Sequence, residues 1–137
     1  MAGKNSGTRQ RKTTTLRSAT LMAFVATSDP KRAKAFYRDI LGLKLITEDG
    51  FALVFDASGA TLRVAIVPKV AAAPYTVLGW QVTDVKAAVK KLAKSGITFE
   101  RYTGMAQDEL GIWVTPSGVK VAWFKDPDGN LLSISEH

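Results

Sequence analysis

The sequence predicts an α+β domain made of two βαβββ modules, and three observations predict it. A strand followed by a capped helix and a glycine stop occurs twice: Leu21–Ala26, Asp29-Pro30 and Gly42, then Val77–Val82, Thr83-Asp84 and Gly96. Three short strand candidates follow each helix. Between the halves, residues 68–75 contain two prolines and three alanines, a linker composition. Asp29 to Gly42 spans 13 positions and Asp84 to Gly96 spans 12, a repeat of architecture and too long a period for a solenoid.

Each element has its own justification. Leu21-Met22-Ala23-Phe24-Val25-Ala26 is an apolar run of strand length. Asp29 is a favoured N-cap, and Pro30 is pre-set for the first helical position. Ala33, Phe36, Tyr37, Ile40 and Leu41 recur at helical spacing and form one stripe, closed by Gly42 as a left-handed C-cap. Strands are predicted at Leu43–Thr47, Phe51–Phe55 and Leu62–Val67, separated by the turns Glu48-Asp49-Gly50 and Ala57-Ser58-Gly59. In the second half Val77–Val82 is a strand. The helix after Thr83-Asp84 turns Val85, Ala88, Val89 and Leu92 inward and Lys86, Lys90, Lys91 and Lys94 mostly outward. Strands follow at Thr98–Tyr102, Val119–Lys125 and Leu131–Ser135. The modules therefore run over about 20–67 and 76–136, within one domain over 18–137.

The chain has 137 residues, 46% hydrophobic and 23% charged, the size and make-up of one globular domain. It has no cysteine, which excludes disulfides, thiolate nucleophiles and thiolate metal sites. No apolar run approaches the roughly 20 residues of a membrane helix, and no signal-peptide pattern follows the basic N-terminus, so the expected location is cytoplasmic. Five of the 19 basic residues fall in positions 1–17, which hold no acid, leaving 14 basic against 12 acidic elsewhere. That segment is expected to be a disordered basic tail, dispensable for folding. It lacks the aromatic interleaving of a nucleic-acid binder, so no specific nucleic-acid partner is expected.

Three segments carry a resemblance. Thr27-Ser28-Asp29-Pro30 leads into Ala35-Phe36-Tyr37-Arg38-Asp39-Ile40-Leu41-Gly42-Leu43, an aromatic pair followed by Leu-Gly-Leu. Ala122-Trp123-Phe124-Lys125-Asp126-Pro127-Asp128-Gly129-Asn130 holds an F-x-D-P-D-G-N turn, and Gln107-Asp108-Glu109-Leu110-Gly111-Ile112-Trp113 a third motif. In this order and spacing, the stretch from about Thr20 to Glu136 resembles the vicinal-oxygen-chelate superfamily of glyoxalases, bleomycin resistance proteins and extradiol dioxygenases. The turn also has a reading without the family: Asp-Pro-Asp-Gly is a type I turn composition whose aspartates serve the backbone.

The resemblance implies a curved mixed sheet from each module around a cup. It also implies four positions that carry metal ligands in metal-using members: Met22, a position near Arg63, Leu78 and Ser133. Thioether, guanidinium, alkyl and hydroxyl groups are not the imidazole and carboxylate set such metals take, and the sole histidine is His137. No metal and no cofactor are therefore expected. Strand alternation would set Phe24 and Ala26 beside Met22 in the cup, Trp80 beside Leu78, and Leu131 beside Ser133. Val121 and Trp123 share a face that alternation leaves open, and Trp113 is expected on a loop, touching ligand or a second copy. Arg63 either binds a ligand carboxylate or phosphate or pairs with an acid on a solvated face.

The expected function is metal-free binding of a small aromatic or amphipathic molecule by a homodimer. The alternatives are a lyase, isomerase or dioxygenase-type enzyme with an atypical or metal-free site, and a partner-binding module whose cup is filled. Tyr102, Asp108 and Glu109 are the only nominees for acid–base work, and they form no recognisable dyad.

Overall fold

The computed structural model describes residues 15–137; positions 1–14, most of the segment predicted as a basic tail, lie outside the described residues. The first module contains β1 (Met22–Thr27), α1 (Pro30–Lys34), a π-helical continuation (Ala35–Ile40), β2 (Lys44–Glu48), β3 (Ala52–Ala57) and β4 (Ala60–Ile66). The second contains β5 (Leu78–Gln81), α2 (Val85–Lys94), β6 (Trp113–Val114), β7 (Lys120–Lys125) and β8 (Leu131–Glu136). The strands form two four-stranded mixed sheets in the orders β1-β4-β3-β2 and β5-β8-β7-β6. In each, the first strand lies parallel to the last, and the remaining pairs are antiparallel. Among the described residues no helix is long and apolar enough to cross a membrane.

Both predicted helix caps form. Asp29 accepts from the Arg32 N–H (3.2 Å) and Asp84 from the Ala87 N–H (3.0 Å). The Glu136 carboxylate takes a further orphan donor of α2, the Val85 N–H, at 2.9 Å. The first helix departs from expectation after one turn. Leu41 donates to the Phe36 carbonyl at 2.9 Å, a π bond in place of the α bond. Consecutive residues on an α-helix diverge by about 100°, yet Phe36 and Tyr37 are both buried, in edge contact at 5.0 Å. The wider turn lets both enter the core.

One apolar core joins the two modules. Val25, Leu53, Phe55, Leu62 and Val64 of the first sheet belong to the same cluster as Ala122, Phe124, Leu132 and Ile134 of the second, with Phe36, Tyr37, Val85 and Val89 from the helices. The sheets therefore turn one face to shared packing and the other away from it.

The outer strand of the second sheet differs from the reading of its sequence. Thr98–Tyr102 forms no strand. Phe99 makes a single bridge to Phe124, Glu100 donates to the Trp123 carbonyl (2.8 Å), and the chain then leaves the sheet. It returns as β6, expected to be loop, where Trp113 and Val114 pair with Val121 and Lys120. The excursion is held by its polar side chains. Gln107 accepts from the Tyr102 N–H and donates to the carbonyls of Glu100 and Gly111. Asp108 accepts from the N–H groups of Leu110 and Ile112, and Arg101 donates to the carbonyls of Asp108 and Glu109. These bonds replace the ladder bonds an edge strand would have made.

Candidate functional site

The Asp126–Asn130 turn is a latch between modules. Asp126 is buried and accepts the Tyr37 hydroxyl (2.7 Å), the Asn130 amide (2.8 Å) and the backbone N–H groups of Asp128 and Asn130. Burial, together with the charge and hydrogen bond of Asp126, pushes the Tyr37 phenol far above its ordinary pKa. Asn130 donates to the Ala26 carbonyl at 2.9 Å. Asp128 accepts the Thr27 hydroxyl (2.6 Å) and the N–H and hydroxyl of Ser28 (3.0 Å each). Burial pushes the Asp128 carboxyl up, but the Ser28 and Thr27 hydrogen bonds and the Arg32 charge outweigh it and hold the carboxyl below its usual range. Both carboxylates are occupied with structure.

The faces turned away from the core carry the remaining chemistry. On the first sheet, β1 buries Val25 and Thr27 and leaves Met22 and Phe24 outward, 47% and 60% exposed. Phe24 is in register with Arg63, and Arg63 with Val54. Arg63 therefore stands on the outward face between two apolar neighbours, and it has no ion-pair partner among the described residues.

On the second sheet, β7 buries Ala122 and Phe124, so Val121 and Trp123 point outward. Trp113, in register with Val121, joins them. The Trp113 and Trp123 rings lie 6.2 Å apart at 31°, and Tyr102 meets Trp123 edge-on at 5.5 Å. All three rings are half-buried. Burial and the nearby Glu100 charge raise the Tyr102 pKa. Ser133, in register with Trp123 on one side and Gly79 on the other, completes the row. A Cβ on Gly79 would lie 2.6 Å from the Ser133 hydroxyl, so the glycine leaves room for that hydroxyl to lean over β5. From sequence Tyr102 is a nominee only for proton transfer; its place in the aromatic row follows from the loop fold, which strand spacing does not show.

Two predicted cup residues are elsewhere. Leu78 and Trp80 pack against the core, and their register partners Leu132 and Ile134 are core residues. The outward positions of β5 are Gly79 and Gln81. Leu78 stands six positions before Asp84, whereas Met22 stands seven before Asp29, and that difference of one residue reverses the strand face. Leu78, Trp80 and Val82 are the more apolar alternate set, and that contrast marks the buried side. Asp108, nominated for proton transfer, spends one carboxylate oxygen on its own loop.

The family chemistry that uses a metal has no fitting donors here. Met22, Arg63 and Ser133 offer a thioether, a fixed cation and a hydroxyl, and Leu78 faces the core. No group of three or more histidine, cysteine, aspartate or glutamate side chains capable of holding a metal occurs among the described residues.

Comparison with known proteins agrees with the architecture. A lactoylglutathione lyase from Agrobacterium tumefaciens superposes with a TM-score of 0.68 at 20% identity, over 87% of this chain and 93% of that one. A glyoxalase family protein from Enterococcus faecalis superposes at 0.70 and 22%, over 89% and 99%. A glyoxalase/bleomycin resistance protein/dioxygenase superfamily member from Sphaerobacter thermophilus does so at 0.69 and 19%, over 88% and 98%. No curated protein matches in sequence. The family model for the glyoxalase/bleomycin resistance protein/dioxygenase superfamily matches residues 19–134, and the chain belongs to that superfamily.

Proposed function

We propose that the protein binds a small aromatic or amphipathic molecule on the outward faces of its sheets, without a bound metal, as a cytoplasmic homodimer. The observation that carries this reading is the row of Tyr102, Trp113 and Trp123 on a face turned away from the core. Trp113 and Trp123 lie 6.2 Å apart at 31°, with Tyr102 edge-on to Trp123, and the three half-buried rings offer an apolar aromatic surface. Aromatic pairs of this kind favour a further ring by stacking beyond its buried area. Ser133 beside Gly79 supplies a hydroxyl at the edge of the row, and Arg63 supplies a cation on the other sheet. Mostly apolar walls with few polar groups are the usual make-up of a small-molecule site. Met22 and Phe24 leave apolar surface that a second copy would cover.

The test is native mass spectrometry of the purified protein, followed by titration of any co-purified molecule against wild type and Trp123→Leu. A stoichiometric organic ligand whose affinity falls at least about tenfold in a folded variant supports the reading. Affinity unchanged in Trp123→Leu removes it. Elemental analysis after dialysis checks the second part: one equivalent of zinc, nickel, iron or manganese per chain would contradict metal-free binding.

A further inference from the structure

Trp80 lines a different space from the one its sequence spacing predicts. A cavity of about 340 Å³ opens between the end of the π-helical segment, α2 and β5. Its floor is Phe124 and Ile134, both core residues, and its walls include Leu43, Trp80 and Leu92. The volume is at the lower end of the range for ligand sites, roughly 300–1,000 Å³. A space of this size reaching core side chains forfeits dispersion contacts that ordinary packing would make. Ala88 lines it where a larger apolar residue would close it.

The charge at this cavity has one sign. Lys91 is its only ionisable lining residue, and among the described residues Lys91 has no ion-pair partner. A lysine in the last turn of a helix also complements the carbonyl end. Here those carbonyls are already satisfied: the N–H groups of Ser95, Gly96 and Ile97 donate to Lys91, Leu92 and Ala93. The Trp80 indole N–H likewise has no acceptor among the described residues.

We propose that this cavity is a second binding site, for a small monoanion with an apolar tail, such as a medium-chain carboxylate. The tail lies against Trp80, Leu43 and Leu92, and the carboxylate meets the Lys91 ammonium at the mouth. The site lies on the core side of the second sheet, opposite the Trp113–Trp123 row, and does not depend on that row binding anything.

The experiment uses the full chain carrying Trp113→Phe and Trp123→Phe, which leaves Trp80 as the only one of three tryptophans. Octanoate is titrated while Trp80 emission is recorded, with octanol as the uncharged control. A saturable change is expected with octanoate. Lys91→Met should weaken octanoate about tenfold and leave octanol unchanged. Ala88→Leu should abolish the response to both and raise the melting temperature. Isothermal titration of octanoate into wild type and Ala88→Leu gives the same comparison if the double Trp variant does not fold. No saturable response in the millimolar range overturns the site, as does a response that survives Ala88→Leu. A response indifferent to Lys91→Met overturns the anionic ligand.

Discussion

Asp126 shows how much of this fold rests on one carboxylate. It accepts four hydrogen bonds, from Tyr37, Asp128 and Asn130, in a buried position. Asp126→Ala strands those donors, and buried donors without partners cost about 1–3 kcal/mol each. With partial relaxation, the expected loss is about 3 kcal/mol by urea denaturation, against about 1 kcal/mol for Tyr37→Phe, which leaves Asp126 three donors. Asp128 sets a pH dependence. Its carboxyl titrates lower in the folded state, so its contribution is complete above the unfolded value of about 3.9 and fades as pH falls through the folded value. The acid limb of the urea midpoint should therefore be shallower below about pH 4 in Asp128→Asn. An identical limb would show that other carboxyls set it. Gly79 and Ser133 form a coupled pair. Gly79→Ala places a Cβ against the Ser133 hydroxyl and should cost about 1–2 kcal/mol, an overpacking cost. Ser133→Ala in the same chain should restore at least half of that in thermal melts.

At the scale of elements, legibility followed the strength of the local signal. Both helix starts were readable because Asp29 and Asp84 act within a few residues, and so was the Asp126–Gly129 turn. The π-helical segment was not, because it answers to Tyr37 reaching Asp126, 89 positions away. The broken edge of the second sheet was misread because Thr98–Tyr102 has strand composition, while the bonds that divert it come from Gln107, Asp108 and Arg101. Of the residues proposed for the site, Met22, Phe24, Arg63, Trp113, Trp123 and Ser133 stand on outward faces, while Leu78 and Trp80 stand on the core side because alternation marks two faces without naming the inner one. The loop 101–112 tests this account: Gln107→Ala removes three bonds holding it. Amide exchange at Tyr102 should accelerate at least about tenfold, with exchange in β8 unchanged.

At the scale of the molecule, the proposed pairing of two copies rests on the outward faces. β1 and β5 are both sheet edges, and β1 carries exposed Met22 and Phe24. An apolar face beside an open edge favours association. Light scattering at micromolar concentration should give twice the chain mass, and Phe24→Glu should shift it toward one. A monomer mass for wild type would refute the pairing.

The latch also carries a consequence for how the chain is made. Its two halves, Thr27-Ser28 and Asp126–Asn130, lie about a hundred positions apart. During synthesis the first module emerges long before its polar partners exist. Until then Tyr37 has no carboxylate to meet, and core residues that pack against Phe124 are uncovered. The first module should therefore stay protease-sensitive on the ribosome until the final hairpin clears the exit tunnel, and protection should arrive in one step for both modules. Nascent chains arrested before and after residues 126–130 emerge, then probed by brief proteolysis, would show whether the first half can close alone.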